Sequence, residues 1–153
     1  MTYALDQSGK GFGGGSGRIL TRDLFLNLLD LEVKRARRYQ NFFCILVMRL
    51  NQLSSHDNGT HQTSCYQKLS HLLSEELRES DILGTLGENS FAALLPYGDC
   101  AAGDTTRSRF EGSLKYYDFK NEGYEVKIEQ LCFPMDGTDT AEIVKKVKSL
   151  GEA

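Results

Sequence analysis

The sequence has no tryptophan, only two prolines among its 153 residues and no long apolar stretch. Its longest apolar run, Phe42 to Met48, covers seven positions, whereas a membrane-spanning helix needs about 20. The chain does not open with a basic segment followed by an apolar one, so we expect no secretory signal. Acidic residues outnumber basic ones, 21 to 18, which gives no electrostatic footprint for duplex nucleic acid. We therefore expect a cytoplasmic protein with no membrane segment and no nucleic-acid partner.

Cysteines are few and widely spaced, at positions 44, 65, 100 and 132, without a CxxC pair. In a chain without a secretory signal, this pattern favours reduced and mostly buried thiols over disulfides. His61 and Cys65 lie four residues apart, and His56 and His71 flank them, but a compact fourth ligand is missing. We expect no metal site and no cofactor.

Glycine is concentrated near the start of the chain, where six of the 15 glycines fall between Gly9 and Gly17. A phosphate-binding glycine loop needs a strand before it and a GKS or GKT ending, and neither is present. We interpret residues 1–17 as a flexible linker and residues 18–153 as one domain, a length that can bury a core.

The hydrophobic pattern predicts eight elements in the order α-β-α-β-β-α-β-α. The predicted helices are one capped by Thr21, one over about Ser64–Glu79, one over about Gly103–Tyr117 and one from Asp139 to Leu150, with Gly151 as its stop. The predicted strands are Phe42–Leu50, a hairpin of Ile82–Leu86 and Phe91–Leu95, and Tyr124–Phe133. This order predicts an α+β fold of the ferredoxin-like or nucleotidyl-cyclase palm kind, with a mainly antiparallel sheet flanked by helices.

Three stretches, taken in order, carry a family resemblance. The first is TRDLFLNLLDLEVKRARRYQNFFCILVMRLNQL, a helix ending in basic residues and RY before an apolar strand. The second is LRESDILGTLGENSFAALLP, with GENSF between two short strands, and the third is YEVKIEQLCFPMDGTDTAEIVKKV. Together they resemble the GGDEF domain of bacterial diguanylate cyclases over roughly residues 18–150, with GENSF where that family has GGDEF or GGEEF.

The departures from this family bear on catalysis. The resemblance implies that one acidic residue at the end of the first strand and another in the hairpin hold two divalent cations against GTP. Those positions are Arg49 and Asn89 here, and neither a guanidinium nor a neutral amide replaces a carboxylate ligand of Mg²⁺. Within the hairpin, Glu88 follows Gly87 in place of a second glycine, and Ser90 stands where glutamate is usual. We therefore expect a degenerate GGDEF domain that has lost diguanylate cyclase activity.

Arg49 ends a strand that we expect to be buried, where a lone guanidinium is costly. We expect it to occupy part of the former cation site, with Glu88 or the Asn89 carbonyl as its partner. The alternative is that its side chain extends from the strand end into solvent.

One feature of the family is retained. Arg78 and Asp81 form an RxxD motif, with five residues between it and the hairpin turn. Many diguanylate cyclases carry their inhibitory site for cyclic di-GMP there, often completed by an arginine of the third helix. We expect Arg109 in that role, with Arg107 as the alternative. Arginine can donate to guanine O6 and N7 while a carboxylate accepts from the guanine N–H edge, but a solvated Arg–Asp pair is an equally simple reading.

These observations leave three functions open. The first is a receptor for cyclic di-GMP that works through Arg78 and Asp81. The second is a nucleotide-independent interaction or dimerisation module of a larger bacterial signalling protein, which is compatible with a homodimer. The third is a regulator that binds GTP without cyclising it; the loss of cation ligands disfavours it, as does the loss of the family's guanine-reading pattern in residues 54–66.

Overall fold

The computed structural model describes residues 18–53 and 60–152 of the chain. The predicted linker at 1–17 and most of the polar segment after the first long strand, including His56, lie outside the described residues. No helix within the described ranges is both long and apolar enough to cross a membrane.

Five strands form one sheet in the order β1-β3-β4-β2-β5. They are Ile19–Leu20 (β1), Phe43–Gln52 (β2), Ile82–Thr85 (β3), Ser90–Pro96 (β4) and Tyr124–Phe133 (β5). Strand β1 runs parallel to β3, and the other neighbours are antiparallel. The helices are Arg22–Tyr39 (α1), Thr60–Glu76 (α2), Cys100–Leu114 (α3) and Thr140–Glu152 (α4), with a 3-10 helix at Lys120–Glu122. The fold class expected from the sequence is confirmed.

Helices cover both faces of the sheet, which explains why β2 is a nearly continuous apolar run. Successive side chains of a strand point to opposite faces. Those of Cys44, Leu46, Met48 and Leu50 pack with α2 and α3, whereas those of Phe43, Ile45 and Val47 pack with α1 and α4. The sheet therefore separates two hydrophobic cores.

Helices α1 and α4 begin where the sequence predicts. Thr21 caps α1, its hydroxyl accepting from the backbone N–H of Leu24 at 3.3 Å. The Asp139 carboxylate accepts from Glu142 N at 2.9 Å, and the Glu142 carboxylate reaches back to Thr138 N at 3.1 Å. Side-chain acceptors of this kind satisfy the free amides of a first helical turn.

Helix α4 does not stop at Gly151, as the sequence analysis expected, but continues to Glu152. Packing against the hairpin explains why position 151 holds a glycine. A Cβ at position 151 would lie 2.9 Å from Leu86 Cδ1 and 3.4 Å from Ser90 Oγ. The glycine therefore allows α4 to approach the β3–β4 hairpin closely, rather than ending the helix.

Two other helix boundaries differ from the prediction. Helix α2 begins at Thr60 and ends at Glu76, so Arg78 and Asp81 lie beyond it. Helix α3 begins at Cys100, because the carboxylate of Asp99 accepts from Ala102 N at 2.8 Å and caps it. Both shifts follow from caps and tertiary contacts that a hydrophobic pattern does not show.

All four cysteines are free thiols, as predicted. Cys44, Cys65 and Cys132 are buried and Cys100 is half-buried. Cys44 and Cys132 face each other across β2 and β5, with their sulfurs 3.3 Å apart. Burial raises the pKa of the Cys44 thiol, which keeps it protonated.

Candidate functional site

The Arg78–Asp81 motif forms a short turn between α2 and β3. The Asp81 carboxylate accepts from the backbone N–H of Arg78 at 2.8 Å, and the Asp81 N–H donates to the Arg78 carbonyl at 3.0 Å. From the sequence, both residues are expected at a helix end, where helical spacing would align their side chains. The structure corrects this: the closed turn sets their relative position.

The guanidinium of Arg18 holds this turn from outside. It donates to the carbonyls of Ser74 and Leu77, both at 3.1 Å, and to those of Arg78 at 2.5 Å and Asp81 at 3.0 Å. The last carbonyls of a helix have no partner within it. A single side chain therefore caps the end of α2 and fixes the turn that follows.

A groove of about 360 Å³ lies along this turn. Arg78 and Asp81 line it from the turn, and Arg109 lines it from α3. Its other lining residues are Leu95, Pro96, Tyr97, Gly98, Ala102, Thr105 and Thr106. The three residues that the sequence singled out for a ligand therefore meet at one groove, although 28 positions separate Asp81 from Arg109.

Glu76 holds Arg109 in place. Arg109 donates from Nε to the Glu76 carboxylate at 3.2 Å and from Nη2 to the Glu76 carbonyl at 2.9 Å. Ser113 donates to the other carboxylate oxygen of Glu76 at 2.8 Å. These contacts join α2 to α3. Contacts within the protein therefore suffice to hold the Arg109 guanidinium at the groove. The alternative arginine, Arg107, is not among the groove residues and instead pairs with Glu111 on its own helix at 3.4 Å.

Tyr97 supplies an aromatic surface at the groove. It follows β4 with a positive φ of 62°, and 62% of the residue is exposed. The Arg35 guanidinium carbon lies 4.3 Å from the centre of its ring, within cation–π distance. The sequence analysis did not identify Tyr97, because one exposed tyrosine after a strand carries no distinctive pattern.

At the strand position that the family resemblance assigns to a cation ligand, Arg49 has a different partner from the one expected. Its neighbours in the sheet are Ser90 on β4 and Lys127 on β5. Within the described part of the chain, its guanidinium donates to the side-chain oxygen of Asn51, and not to Glu88 or the Asn89 carbonyl. Residues two apart on a strand share a face, so Asn51 is adjacent, whereas Glu88 lies exposed at the hairpin tip.

The hairpin residue in the family's acidic position is also engaged. The side-chain oxygen of Asn89 accepts a hydrogen bond from Gln62, which donates at 3.3 Å to the Glu88 carbonyl as well. The Asn89 carbonyl accepts from Leu50 N at 2.7 Å. The first turn of α2 and the end of β2 thus anchor the hairpin through protein hydrogen bonds.

Gly87 is exposed in this hairpin, whereas Ser90 is only 3% exposed and lies beside Gly151 of α4. This buried position suits a small hydroxyl and leaves little room for a glutamate. Mg²⁺ requires several oxygen ligands, usually with one or two carboxylates. The residues at these positions therefore do not fit a two-cation site. Within the described ranges, no cluster of three or more histidine, cysteine or acidic side chains could hold a metal ion.

The residues considered for zinc have other contacts. Cys65 donates to the Glu122 carboxylate at 3.0 Å, and Lys68 pairs with the same carboxylate at 2.8 Å. His71 pairs with Glu75 at 3.2 Å on α2. The side chains around Cys65 thus join α2 to the 3-10 helix.

Comparison with solved structures identifies the fold. No protein-family model and no curated protein matches the sequence. Several solved structures match the fold of this chain. A DGC protein from Thermotoga maritima is 18% identical with a TM-score of 0.72, over 89% of this chain and 98% of that one. The fold is that of a GGDEF domain.

Two further solved structures share the fold. The GGDEF domain of DgcB from Caulobacter crescentus, in complex with c-di-GMP, is 12% identical with a TM-score of 0.71, over 89% of this chain and 84% of that one. Diguanylate cyclase SiaD from Pseudomonas aeruginosa, in complex with its activator SiaC, is 16% identical with a TM-score of 0.69. The match covers 95% of this chain and 57% of SiaD. At these identities the GGDEF likeness is one of fold.

Proposed function

We propose that this chain is a catalytically inactive GGDEF-type signalling domain that binds cyclic di-GMP in the groove lined by Arg78, Asp81 and Arg109. The observation that carries the proposal is their convergence: a turn and a separate helix bring two guanidinium groups and a carboxylate to one groove. The complex of the Caulobacter GGDEF domain with c-di-GMP supports it, since that domain shares the fold.

The groove chemistry suits this ligand. Cyclic di-GMP has two guanines and two anionic phosphates. An arginine can donate to guanine O6 and N7 together or to a phosphate, and a carboxylate can accept from the guanine N–H edge. Asp81 uses one oxygen for the backbone of Arg78, but an ionised carboxylate has about four acceptor sites and can accept further bonds. Tyr97 offers an exposed ring on which a base can stack.

The substitutions at the former cation site support the loss of catalysis. Phosphoryl transfer depends on cations that neutralise the phosphates and orient the attacking oxygen. Arg49 donates to Asn51, and the side-chain oxygen of Asn89 accepts from Gln62. Neither side chain offers a free anionic oxygen, so GTP would lack its metal clamp. A regulator that binds GTP is disfavoured for the same reason.

A nucleotide-independent interaction module is the second candidate, and a surface at the other end of β2 from the GENSF hairpin favours it. A groove of about 580 Å³ lies there between the end of α1 and the start of α4, and Phe42 is 42% exposed at its edge. The complex of diguanylate cyclase SiaD with its activator SiaC is an example of a protein that shares the fold and has a protein partner. A homodimer and a cytoplasmic location remain predictions from the sequence.

Calorimetric titration separates these functions. The chain is titrated with cyclic di-GMP and, separately, with GTP in the presence of Mg²⁺. Each nucleotide is added up to about 100 μM, a concentration that saturates a receptor of micromolar affinity. The proposed function predicts saturable heat with cyclic di-GMP and none with GTP. Saturation by GTP alone would favour a GTP-binding regulator, and no heat with either nucleotide would favour the interaction module.

A further inference from the structure

We infer that Arg18 is a positioning residue for the proposed cyclic di-GMP site, and that it couples the groove to the segment of chain at β1. The inference rests on the proposed function. It starts from one contact set: Arg18 donates to four carbonyls, two of which belong to Arg78 and Asp81 themselves. Arg18 is not among the groove residues, so it would act through the turn.

A second contact ties the same segment to the other side of the turn. Directly after Arg18, Ile19 and Leu20 pair in parallel with Leu83 and Gly84 of β3. Arg18 therefore fixes the turn from the α2 side while β1 fixes the chain that leaves it. The backbone that carries Arg78 and Asp81 is held between these two attachments.

The geometry of the contact requires arginine. A guanidinium presents five N–H donors in a rigid planar fork, whereas a lysine ammonium is a compact charge with three donors on a flexible stem. Four carbonyls from the last turn of α2 and the following turn converge on Arg18. Lysine would keep the charge but could not hold all four carbonyls. The turn would keep its own Arg78–Asp81 hydrogen bonds, but its position relative to α2 and the groove would no longer be fixed.

The coupling is reciprocal. If the Arg18 contacts favour the binding-competent turn, then ligand bound to that turn must favour the Arg18 contacts by the same free energy. Binding of cyclic di-GMP should therefore slow amide hydrogen exchange in β1 and at the start of β3, including residues that do not line the groove.

The test compares Arg18→Lys and Arg18→Ala with Arg22→Ala. Arg22 is exposed at the start of α1 and is not a groove residue, so its removal matches the charge change. Affinity for cyclic di-GMP is measured by calorimetry at a temperature well below the unfolding of every variant. We expect about tenfold weaker binding for both Arg18 variants, within the usual range of coupling between sites, and no change for Arg22→Ala. Ligand-induced slowing of exchange in β1 should be present in the wild type and absent in Arg18→Lys.

Each outcome decides the inference. Wild-type affinity in folded Arg18→Lys would make Arg18 a purely structural residue and overturn the inference, while the proposed function would stand. Binding without slower exchange in β1 would overturn the coupling in the same way. Absence of binding by the wild type would overturn both. If Arg18→Ala fails to fold, Arg18→Lys carries the comparison.

Discussion

At the scale of single residues, close packing in the core restricts which side chain a position can hold. Gly84 of β3 lies directly against Phe25 of α1, which is fully buried. A Cβ built at position 84 would lie 2.6 Å from Phe25 Cβ and 2.7 Å from Phe25 Cγ. Real Cβ atoms do not approach others so closely, and a rotation of the Phe25 side chain would not move its own Cβ away. Gly112 of α3 is the opposite case, because a Cβ there would meet nothing within 4 Å.

Gly84→Ala should therefore destabilise the fold. Overpacking of a core usually costs about 1–3 kcal/mol, and we expect urea denaturation to show a loss in that range. Gly112→Ala is the matched control. Alanine favours an exposed helix by up to about 1 kcal/mol over glycine, so this variant should be as stable as the wild type or more stable. Equal stability of the two variants would contradict the packing described for β3 and α1.

At the scale of elements, a carboxylate joins α2 to the 3-10 helix that precedes β5. Glu122 accepts from the Cys65 thiol at 3.0 Å and pairs with Lys68 at 2.8 Å. The Cys65 hydrogen bond, and then Lys68, lower the pKa of the Glu122 carboxyl below its ordinary 4.5. A carboxyl with a lowered folded-state pKa stabilises the fold above its ordinary pKa, and this stabilisation disappears as the pH falls through the lowered value.

Glu122→Gln should consequently lower the free energy of unfolding at pH 7 by about 0.2–1 kcal/mol, the usual range for a partly exposed pair. The difference from the wild type should shrink as the pH falls below 4.5. Denaturation at a series of pH values measures this. Glu79→Gln serves as a control, because Glu79 is exposed and outside the ion pairs of the described residues. A Glu122 effect that stays constant down to pH 2 would exclude an ionic origin.

Long elements could be predicted from the sequence because the residues that determine them lie within or next to the element itself. The apolar run of β2, the Thr21 cap of α1 and the Asp139 cap of α4 all lie in the elements that they define. Strand β1 could not be predicted, since it is two residues long and forms only by pairing with β3, more than 60 positions away. Arg18 was missed for the same reason.

The residues of the candidate site also divide into those that the sequence predicts and those that it does not. Arg78, Asp81 and Arg109 could be named from the family resemblance, and the structure brings them to one groove. Their support could not be named, because Glu76 and Arg18 act through contacts distant in sequence. The predicted partner of Arg49 was wrong. Glu88 is exposed at the hairpin tip, whereas Asn51 lies two residues along the same strand and shares a face with Arg49.

At the scale of the whole molecule, the two candidate sites lie at opposite ends of the β3–β4 hairpin. The GENSF turn connects Thr85 to Ser90 at one end, and Ile82 pairs with Leu94 at the other, next to Asp81 and the groove. The residues proposed to bind a ligand at the groove and those of the hairpin turn are separate side chains. One function can therefore be lost while the other is kept.

Loss of cyclase activity can be tested directly. Incubation of the chain with GTP and either Mg²⁺ or Mn²⁺ should yield no cyclic di-GMP above a buffer blank in a chromatographic assay. The physical reason is that Arg49 and Asn89 cannot clamp cations against the triphosphate, and this electrostatic stabilisation carries most of phosphoryl transfer. Sustained product formation over many turnovers would contradict the assignment of an inactive domain.

Binding of cyclic di-GMP in the groove can be tested by comparing the affinities of two variants with that of the wild type. Calorimetric titration with cyclic di-GMP should give roughly ten- to a hundredfold weaker binding for Arg78→Ala than for the wild type, because a bidentate arginine–guanine contact contributes about 1–3 kcal/mol. Arg107→Ala, which removes an equal charge from α3 outside the groove, should bind like the wild type. Equal affinity of Arg78→Ala and the wild type would place the ligand elsewhere and contradict the account.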